Sequence, residues 1–395
     1  MDNIYTRIPS SEIESRITRL KSYLEKEDID GTILLSTPEL YYYSGLGYDG
    51  AVYIPVEGEP VHLIKRNIEL AKSFSRLPRI NSFGRKSKLF DTLGIKPSAK
   101  IALELDILSY SFVKFLESKA KNVQLTNCSP VLRQLRSIKS EYEISHIKDA
   151  ATLVDASFEY CTETATPEMT EIELAARLER WMLDNGHDGF ITTYGFNTEL
   201  LHYAYVISSQ SSVLNIKFTP ISGYGLSLKY PYGPSRQKLG RNPFIVDTCG
   251  NSQGYISDTT RTFICGKFDA QTKDEIDSLQ KIKTFLCDKL RPNVNLGDLY
   301  NEVMDLSKEL HIYDYFMGTS SDRVAFIGHG VGLELDDLPV FYPKGPNLVS
   351  GNILACEPKF FIQGKKVLGI EDTFAVTESG NILLSKSPDY YEIST

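Results

Sequence analysis

The sequence predicts a two-domain protein, in which a small α/β domain precedes a larger α+β domain. Three observations favour this class. The first hundred-odd residues alternate between helix and strand patterns, a long amphipathic segment follows, and the chain beyond residue 190 is mainly strand and loop with a helix pair between 274 and 310. We place the domains at 1–135 and 136–395, and a chain of 395 residues is long enough for both cores.

The N-terminal domain opens with a predicted helix that ends before Gly31, in which apolar residues recur at helical spacing. A short buried strand, GTILLS, follows it. The segment AVYIPVEGEPVHLIK predicts two strands around an EGEP turn. Beyond them come the strand KIALELD, the helix SYSFVKFLESKAK and the strand VQLTN. This alternation is typical of a small α/β domain.

The C-terminal domain begins with a long predicted helix. Ser140 and Glu143 form the pattern of a capping box at its start. An apolar stripe then runs along one face through Ile144, Ile147, Ala150, Ala151 and Val154. A second helix, TEIELAARLERWMLDNG, ends at Gly186.

Composition and charge exclude several classes of partner. The chain is 42% hydrophobic and 24% charged, which is typical of a globular protein, and its net charge of −8 comes without a basic stripe. Nucleic acid and acidic membrane surfaces are therefore excluded as partners. The six cysteines contain no CxxC pair, the N-terminus lacks the apolar core of a signal peptide, and no run approaches the ~18 apolar residues of a membrane span. We expect a cytoplasmic protein with reduced thiols.

Two aspartates stand in neighbouring strand patterns of the C-terminal domain. In NPFIVDTCGNSQGYISDTTRTF, two apolar runs flank a turn that contains glycine, and the runs deliver Asp247 and Asp258. Aspartate is disfavoured inside strands, so this placement needs a reason. A solvated surface hairpin is the plain alternative, whereas a functional hairpin would bring both carboxylates to one end of a sheet.

Three further candidates follow on later strand-like segments. His329 lies between glycines in FIGHGVGL, Glu357 follows NILAC, and Glu371 stands in VLGIEDTFAVT. Each of them alone is more commonly structural or surface-exposed. Clustered carboxylates cannot all ionise without a cation, and carboxylates with one imidazole suit Mn²⁺, Fe²⁺, Co²⁺ or Zn²⁺. Bridging carboxylates can hold two such ions ~3.5–4 Å apart.

These motifs resemble one known family over nearly the whole chain. D-x-x-G…GYxSDxTRTF, GHGVGLEL…P, EP and GIEDTFxVT are similar to segments of the prolidase, aminopeptidase P and creatinase family, as are the N-terminal domain and RSIKSEYEISHIKDAA. The resemblance implies a pita-bread fold for the C-terminal domain after a creatinase-like N-terminal domain. It also implies a dinuclear site whose ligands are Asp247, Asp258, His329, Glu357 and Glu371.

The family resemblance implies a function as well. We expect a metallopeptidase-like hydrolase of the Xaa-Pro dipeptidase or aminopeptidase P type, which cleaves the C–N bond of a small peptide or peptide-like substrate. Two divalent ions would activate the water, with Mn²⁺ as the first choice before Fe²⁺, Co²⁺ or Zn²⁺, and Glu357 would accept its proton. The resemblance also implies a homodimer.

The chain departs from the peptidase pattern at three positions. Asp336, which Asp337 follows, replaces a histidine, Tyr230 replaces a second histidine, and Gly369 replaces an arginine. An ionised Asp336 can bind an ammonium group or act as a base. Tyr230 can donate a hydrogen bond to an oxyanion. We also expect Asp337 to contact the substrate, and likewise His202, which belongs to a segment at 190–222 that is longer than in the common peptidases.

Two other functions stay open at this point. One is a non-peptidase enzyme in the same fold, either an amidohydrolase or a C–S lyase similar to the dimethylsulfoniopropionate lyases, with Asp336 as base. Those lyases carry an extra metal-binding aspartate two residues after the first ligand, where this chain has Cys249. The other is a non-catalytic binding module, which the complete set of ligand-type residues argues against. The sequence alone chooses neither the substrate nor the metal.

Overall fold

The computed structural model describes residues 6–120, 122–195, 198, 200, 202–214, 219–319 and 322–394. The chain divides into two compact units. The first contains the chain up to Arg136 together with a short piece that begins at Gly195, and the second contains the remainder.

The first unit is built on one mixed sheet of six strands in the order β4-β3-β2-β1-β5-β6. Its strands are β1 (Gly31–Leu34), β2 (Gly50–Pro55), β3 (Val61–Ile64), β4 (Arg79–Ser82), β5 (Lys100–Leu103) and β6 (Gln124–Asn127). Its helices are α1 (Ser10–Lys26), α2 (Thr37–Ser44), α3 (Ile68–Phe74), α4 (Leu89–Leu93), α5 (Tyr110–Lys119) and α6 (Ser129–Arg136).

The local patterns of this unit are confirmed. Strand β1 begins at Gly31, and β2 and β3 form the antiparallel pair expected on either side of the EGEP turn. Strand β1 also pairs in parallel with β5, which in turn pairs in parallel with β6. The interior between sheet and helices is filled by a cluster that includes Ile33, Leu63, Ile101 and Leu116.

The second unit contains the remaining elements. Its helices are α7 (Glu141–Thr164), α8 (Glu171–Asp184), α9 (Ala270–Lys289) and α10 (Leu296–Glu309). Its strands are β7 (Ala204–Ser208), β8 (Val213–Leu214), β9 (Ile221–Ser222), β10 (Phe244–Ser252), β11 (Tyr255–Cys265), β12 (Gly328–Gly330), β13 (Asp337–Phe341), β14 (Ile353–Cys356), β15 (Lys359–Ile362), β16 (Lys366–Gly369), β17 (Asp372–Thr377), β18 (Gly380–Leu383) and β19 (Tyr390–Ile393).

Two sheets form the centre of this unit, and helices cover them. One sheet has the order β19-β11-β10-β7 and the other β13-β12-β14-β17-β18, while β15 and β16 pair as a separate hairpin. Helix α7 packs on the first sheet, where Phe158 lies 5.9 Å from Phe263 between ring centroids. Helices α9 and α10 pack on the second through Ile282 and Leu299. The predicted order, in which an α/β unit precedes an α+β unit, is thus confirmed.

Two predictions from composition can be compared with this structure. None of the helices in its described part combines the length and apolarity that a bilayer crossing requires. All six cysteines are free thiols, and five of them are buried.

The predicted capping box of α7 is present in the structure. The Glu143 backbone N–H donates to the Ser140 hydroxyl at 3.3 Å, and the Ser140 N–H donates to Glu143 Oε2 at 3.0 Å. The two bonds satisfy backbone donors that the first helical turn leaves without intrahelical partners. They fix the start of the helix that supports the first sheet.

We predict that Ser140→Ala lowers the free energy of unfolding by about 1 kcal/mol, because one cap bond is lost. Urea unfolding followed by circular dichroism measures the change. Thr152→Ala is the matched control, since Thr152 is exposed in the middle of the same helix and alanine is the better helix former. Equal losses in the two variants would contradict the capping assignment.

Candidate metal centre

The hairpin of β10 and β11 brings the two predicted aspartates together. Its register places Cys249 opposite Asp258 and Asp247 opposite Thr260. Side chains on a strand alternate between the faces, so Asp247 and Asp258 share one face of the hairpin. The predicted hairpin is confirmed.

His329 is the middle residue of the short strand β12, which lies between β13 and β14. A Cβ atom on Gly330 would lie 2.2 Å from the Leu338 carbonyl oxygen, so the close approach of β13 requires glycine there. The Nδ1 atom of His329 lies 3.1 Å from the Gly330 carbonyl oxygen, which can only accept. Nδ1 therefore carries the proton, and Nε2 faces Asp258 Oδ2 and Glu357 Oε1, each at 3.8 Å.

The two glutamates lie where neighbouring strands end. Glu357 stands between β14 and β15, and Glu371 between β16 and β17. The Glu371 backbone N–H donates to the Thr260 carbonyl at 3.0 Å, and the Thr260 hydroxyl donates to Glu371 Oε2 at 2.7 Å. Behind them, buried Arg261 donates to the Glu371 carbonyl at 2.6 Å and to Asp372 Oδ1 at 2.6 Å. These bonds hold the start of β17 against the middle of β11.

A buried lysine lies among these carboxylates, and sequence reasoning missed it. The Nζ atom of Lys359 lies 2.9 Å from Asp247 Oδ2, 2.8 Å from Glu357 Oε2 and 3.1 Å from Glu371 Oε2. Lys359 is only 2% exposed. A signal was available, because the extended run KFFI puts Lys359 on the same side as Phe361, and a phenylalanine in a strand pattern is commonly buried.

The pKa directions in this cluster show a shortage of positive charge. Burial raises the pKa of Asp258 well above its ordinary value, and Glu371 and Asp247 add to the effect. Burial likewise raises the pKa of Glu357 to about 7, although Lys359 opposes the change. Burial also raises the pKa of Glu371. A bound cation would relieve this repulsion between carboxylates.

The pKa values of the two basic groups, His329 and Lys359, are also raised, which in their case favours the charged form. Burial favours neutral His329, but Asp336 and Glu357 outweigh that effect, so the pKa of His329 is raised. Burial also disfavours charged Lys359, yet its carboxylate neighbours raise the pKa of Lys359 well above the ordinary value. Lys359 is therefore an ammonium ion at neutral pH.

One position in the cluster fits a divalent metal ion. Asp258, His329 and Glu371 each offer a ligand atom, and these atoms lie within 4.8 Å of one another. Within the described part of the chain, the buried Oε1 atom of Glu371 has no hydrogen-bond partner. Buried polar atoms in proteins are nearly always satisfied, so an unpaired carboxylate oxygen here is consistent with a cation ligand. Carboxylates with one imidazole suit a first-row divalent ion.

A pocket leads to this cluster. Asp336 lines it, and so do Tyr205 and Tyr232. Burial, together with Cys249 and Tyr232, raises the pKa of Tyr205, so its hydroxyl stays a hydrogen-bond donor at neutral pH. The apolar part of the wall consists of Leu200, Ile207, Ile221 and Leu335.

The segment 190–222 supplies much of this wall. Tyr205 and Ile207 come from β7 and Ile221 from β9. Positions 196, 197, 199, 201 and 215–218 lie outside the described residues. The part of the segment that the structure describes therefore shapes the pocket, which sequence reasoning left open.

Three predicted substrate contacts are not brought into the pocket. The lining includes Tyr232 in place of Tyr230, whose ring packs edge-on against Tyr232 at 5.9 Å between centroids. His202 lies 3.1 Å from Glu179 on α8, outside the lining. Asp337 is fully buried, 3.3 Å from Lys139 and bonded to the Leu338 N–H, so its contacts are structural. The positions of these three side chains do not support direct substrate binding.

Comparisons with known proteins identify the family. The model of metallopeptidase family M24 matches residues 145–378, and that of the creatinase/prolidase N-terminal domain matches residues 16–138. The chain belongs to metallopeptidase family M24, with a creatinase-type N-terminal domain and the pita-bread fold. The fold class and family expected from the sequence motifs are confirmed.

Relatives of known name are similar over almost their full length. A Xaa-Pro dipeptidase from Pyrococcus horikoshii is 26% identical over 95% of this chain and 98% of its own, and one from Pyrococcus furiosus is 25% identical over 95% and 99%. Among solved structures, a Xaa-Pro dipeptidase from Bacillus anthracis has a TM-score of 0.80 at 23% identity, covering 97% of this chain and all (100%) of its own. That likeness shows the shared fold.

We predict that Tyr232→Phe lowers kcat/KM for peptide hydrolysis by roughly 3- to 10-fold, because a hydroxyl that can bond substrate leaves the pocket. Tyr230→Phe is the matched control, since Tyr230 lies outside the lining, and we expect its effect to stay small. Steady-state kinetics on one peptide compares the two. A larger loss in Tyr230→Phe than in Tyr232→Phe would contradict the assignment of Tyr232 to the pocket. It would support the expectation from the sequence that Tyr230 donates a hydrogen bond to the substrate.

Proposed function

We propose that this protein hydrolyses the peptide bond before proline in small Xaa-Pro peptides, in a metal-dependent reaction. The observation that carries the proposal is the cluster of Asp258, His329 and Glu371 beside a pocket with a partly apolar wall, which Asp258, His329 and Glu357 line. Membership of family M24 and the Xaa-Pro dipeptidase names of its relatives support it. The exact peptide length and the metal, for which Mn²⁺ is our first choice, belong to the proposal.

The charged groups divide the chemical work between them. A divalent ion held by Asp258, His329 and Glu371 would polarise the scissile carbonyl and make a water molecule more acidic. Glu357 supplies the proton acceptor. Its Oε2 atom is bonded to Lys359, whereas Oε1 faces His329 Nε2 at 3.8 Å, so Oε1 takes the proton from the attacking water.

The pocket wall accounts for the choice of substrate. Ile207, Ile221 and Leu335 offer an apolar surface for a prolyl ring, and Tyr205 can donate a hydrogen bond to a peptide carbonyl. Asp336 supplies a carboxylate that pairs with the free ammonium group at the N-terminus of the peptide. An enzyme that releases the N-terminal residue of a peptide needs a contact of this kind to the terminal ammonium group.

Two further properties carry over from the sequence, the first from the family resemblance and the second from the cysteine pattern. We propose a homodimer and a cytoplasmic location. Sedimentation of the purified chain measures the first, and localisation of the tagged chain in its source cells measures the second.

The test is hydrolysis of a peptide panel by the Mn²⁺-loaded protein. The panel contains Xaa-Pro dipeptides, longer Xaa-Pro peptides and Xaa-Ala peptides. We expect release of the N-terminal residue only where proline follows it. Glu357→Gln should lower kcat by ~10²–10⁴-fold, because the proton acceptor is lost while the side-chain shape is kept.

Glu378→Gln, an exposed carboxylate on the β17–β18 turn, is the matched control and should keep full activity. Thermal unfolding of both variants checks that they are folded. Full activity of Glu357→Gln would refute its role as proton acceptor. Metal binding without cleavage of any panel member would refute the peptidase proposal and direct the search to other amides and to sulfonium or ammonium compounds.

The role of Asp336 leads to a separate prediction. Asp336→His and Asp336→Asn should lose ~10-fold or more of the preference for a free N-terminal amine over an acetylated one, because a charge-assisted contact is removed. Both should still cleave the acetylated peptide. An unchanged preference in both variants would show that Asp336 does not bind the ammonium group.

A further inference from the structure

The carboxylate cluster holds a cation of its own, Lys359. We propose that the ammonium group of Lys359 takes one of the two cation positions of this centre, so that the protein binds one divalent ion per chain. The inference rests on the proposed metal centre and changes its composition. It departs from the two-ion site that the family resemblance implies.

Every N–H donor of the Lys359 ammonium group has a hydrogen-bond acceptor. An ammonium group has three N–H donors, and Nζ has three carboxylate acceptors, on Asp247, Glu357 and Glu371, between 2.8 and 3.1 Å. A buried ammonium group without partners would be strongly destabilising, whereas this one is paired on every N–H. Lys359 therefore has no proton left to donate to a substrate and serves the centre as a fixed charge.

The same contacts exclude a metal ion from that position. Carboxylate oxygens bind a divalent ion such as Zn²⁺ at about 2.0–2.2 Å. An ion shared by Asp247, Glu357 and Glu371 would need to lie between the three oxygens that now surround Nζ. Ion and ammonium would then compete for one space and repel each other. Either Lys359 moves out of the cluster or the position holds no metal.

The β15–β16 hairpin explains why Lys359 points inward. Side chains alternate along a strand, so Lys359 and Phe361 share a face of β15. Phe361 is buried in a cluster with Ile207 and Ile221, which also line the pocket. The backbone of Lys359 is tied down as well, because its carbonyl accepts from the Met317 N–H at 2.8 Å. Turning Lys359 outward would turn Phe361 out of its core.

Gly369 makes room for the lysine stem. It lies directly opposite Lys359 in the hairpin register. A Cβ atom at this position would lie 3.3 Å from Lys359 Cγ and 2.9 Å from Thr260 Cγ2, both closer than ordinary contacts. The absence of a side chain at residue 369 and the presence of a buried lysine at residue 359 therefore belong to one arrangement.

The atoms that Lys359 does not use mark the other position. They are Asp258 Oδ2, which lies 3.8 Å from His329 Nε2, and Glu371 Oε1. The net charge of the cluster also favours one divalent ion beside Lys359. Asp247, Asp258, Glu357 and Glu371 carry four negative charges when ionised, Lys359 supplies one positive charge, and the remaining three negative charges (4 − 1) attract a divalent ion.

The test counts bound metal in the full-length protein. Protein saturated with Mn²⁺ is desalted, and metal and protein are quantified by mass spectrometry and amino-acid analysis. We expect one ion per chain in the wild type and two in Lys359→Ala, which removes the ammonium group and opens its space. Lys365→Ala is the matched control, because Lys365 is exposed in the same hairpin, and it should keep one ion.

Each other result would overturn the inference. Two ions in the wild type would show that Lys359 yields to metal. One ion in both the wild type and Lys359→Ala would show that something else excludes the second. No metal in the wild type would remove the remaining position as a metal site.

Two further measurements cover a variant that fails to fold and separate this inference from the proposed function. The electron paramagnetic resonance spectrum of the Mn²⁺-loaded wild type should show isolated ions, and a spin-coupled pair would overturn the inference. Metal-free Lys359→Ala should melt below the metal-free wild type and gain more from added Mn²⁺, because three carboxylates lose their shared cation. Peptide cleavage is scored separately, so one bound ion without cleavage would refute only the peptidase proposal.

Discussion

The contact between one ammonium group and three buried carboxylates is the constraint on which this centre depends. Asp247 lies within β10, whereas Glu357 and Glu371 lie between consecutive strands, and the three carboxylates would repel one another without a cation between them. Lys359 meets all three at hydrogen-bond distance. The lysine is part of the folded chain, so the cluster keeps one positive charge whether or not metal is present.

The surrounding fold supports that contact from several sides. Strands β10 and β11 present the two aspartates on one face, and Arg261 ties the end of β17 to β11. Among the residues that the structure describes, Glu371 Oε1 has no hydrogen-bond partner, and we propose that it binds the metal ion. In the proposed centre the carboxylates and Lys359 leave a single position for metal, and residues of β7 and β9 line the pocket that leads to it.

The sequence predicted the frame better than the pocket. Asp247 and Asp258 could be paired from the two apolar runs around a turn, because register and strand alternation follow from local pattern. Lys359 was missed because burying a charge is decided by partners that come from distant segments. The sequence analysis named Tyr230, whereas the pocket is lined by Tyr232, and the reason for this difference is simpler. The two lie two residues apart in an irregular loop, where no periodicity shows which of them faces the pocket.

A crystal structure of the protein grown with excess Mn²⁺, with an anomalous difference map, examines the centre most directly. One anomalous peak beside Asp258, His329 and Glu371, with Lys359 Nζ still bonded to Asp247 and Glu357, is the expected result. Two peaks ~3.5–4 Å apart, with the lysine displaced from the carboxylates, would contradict it and establish a conventional two-metal site.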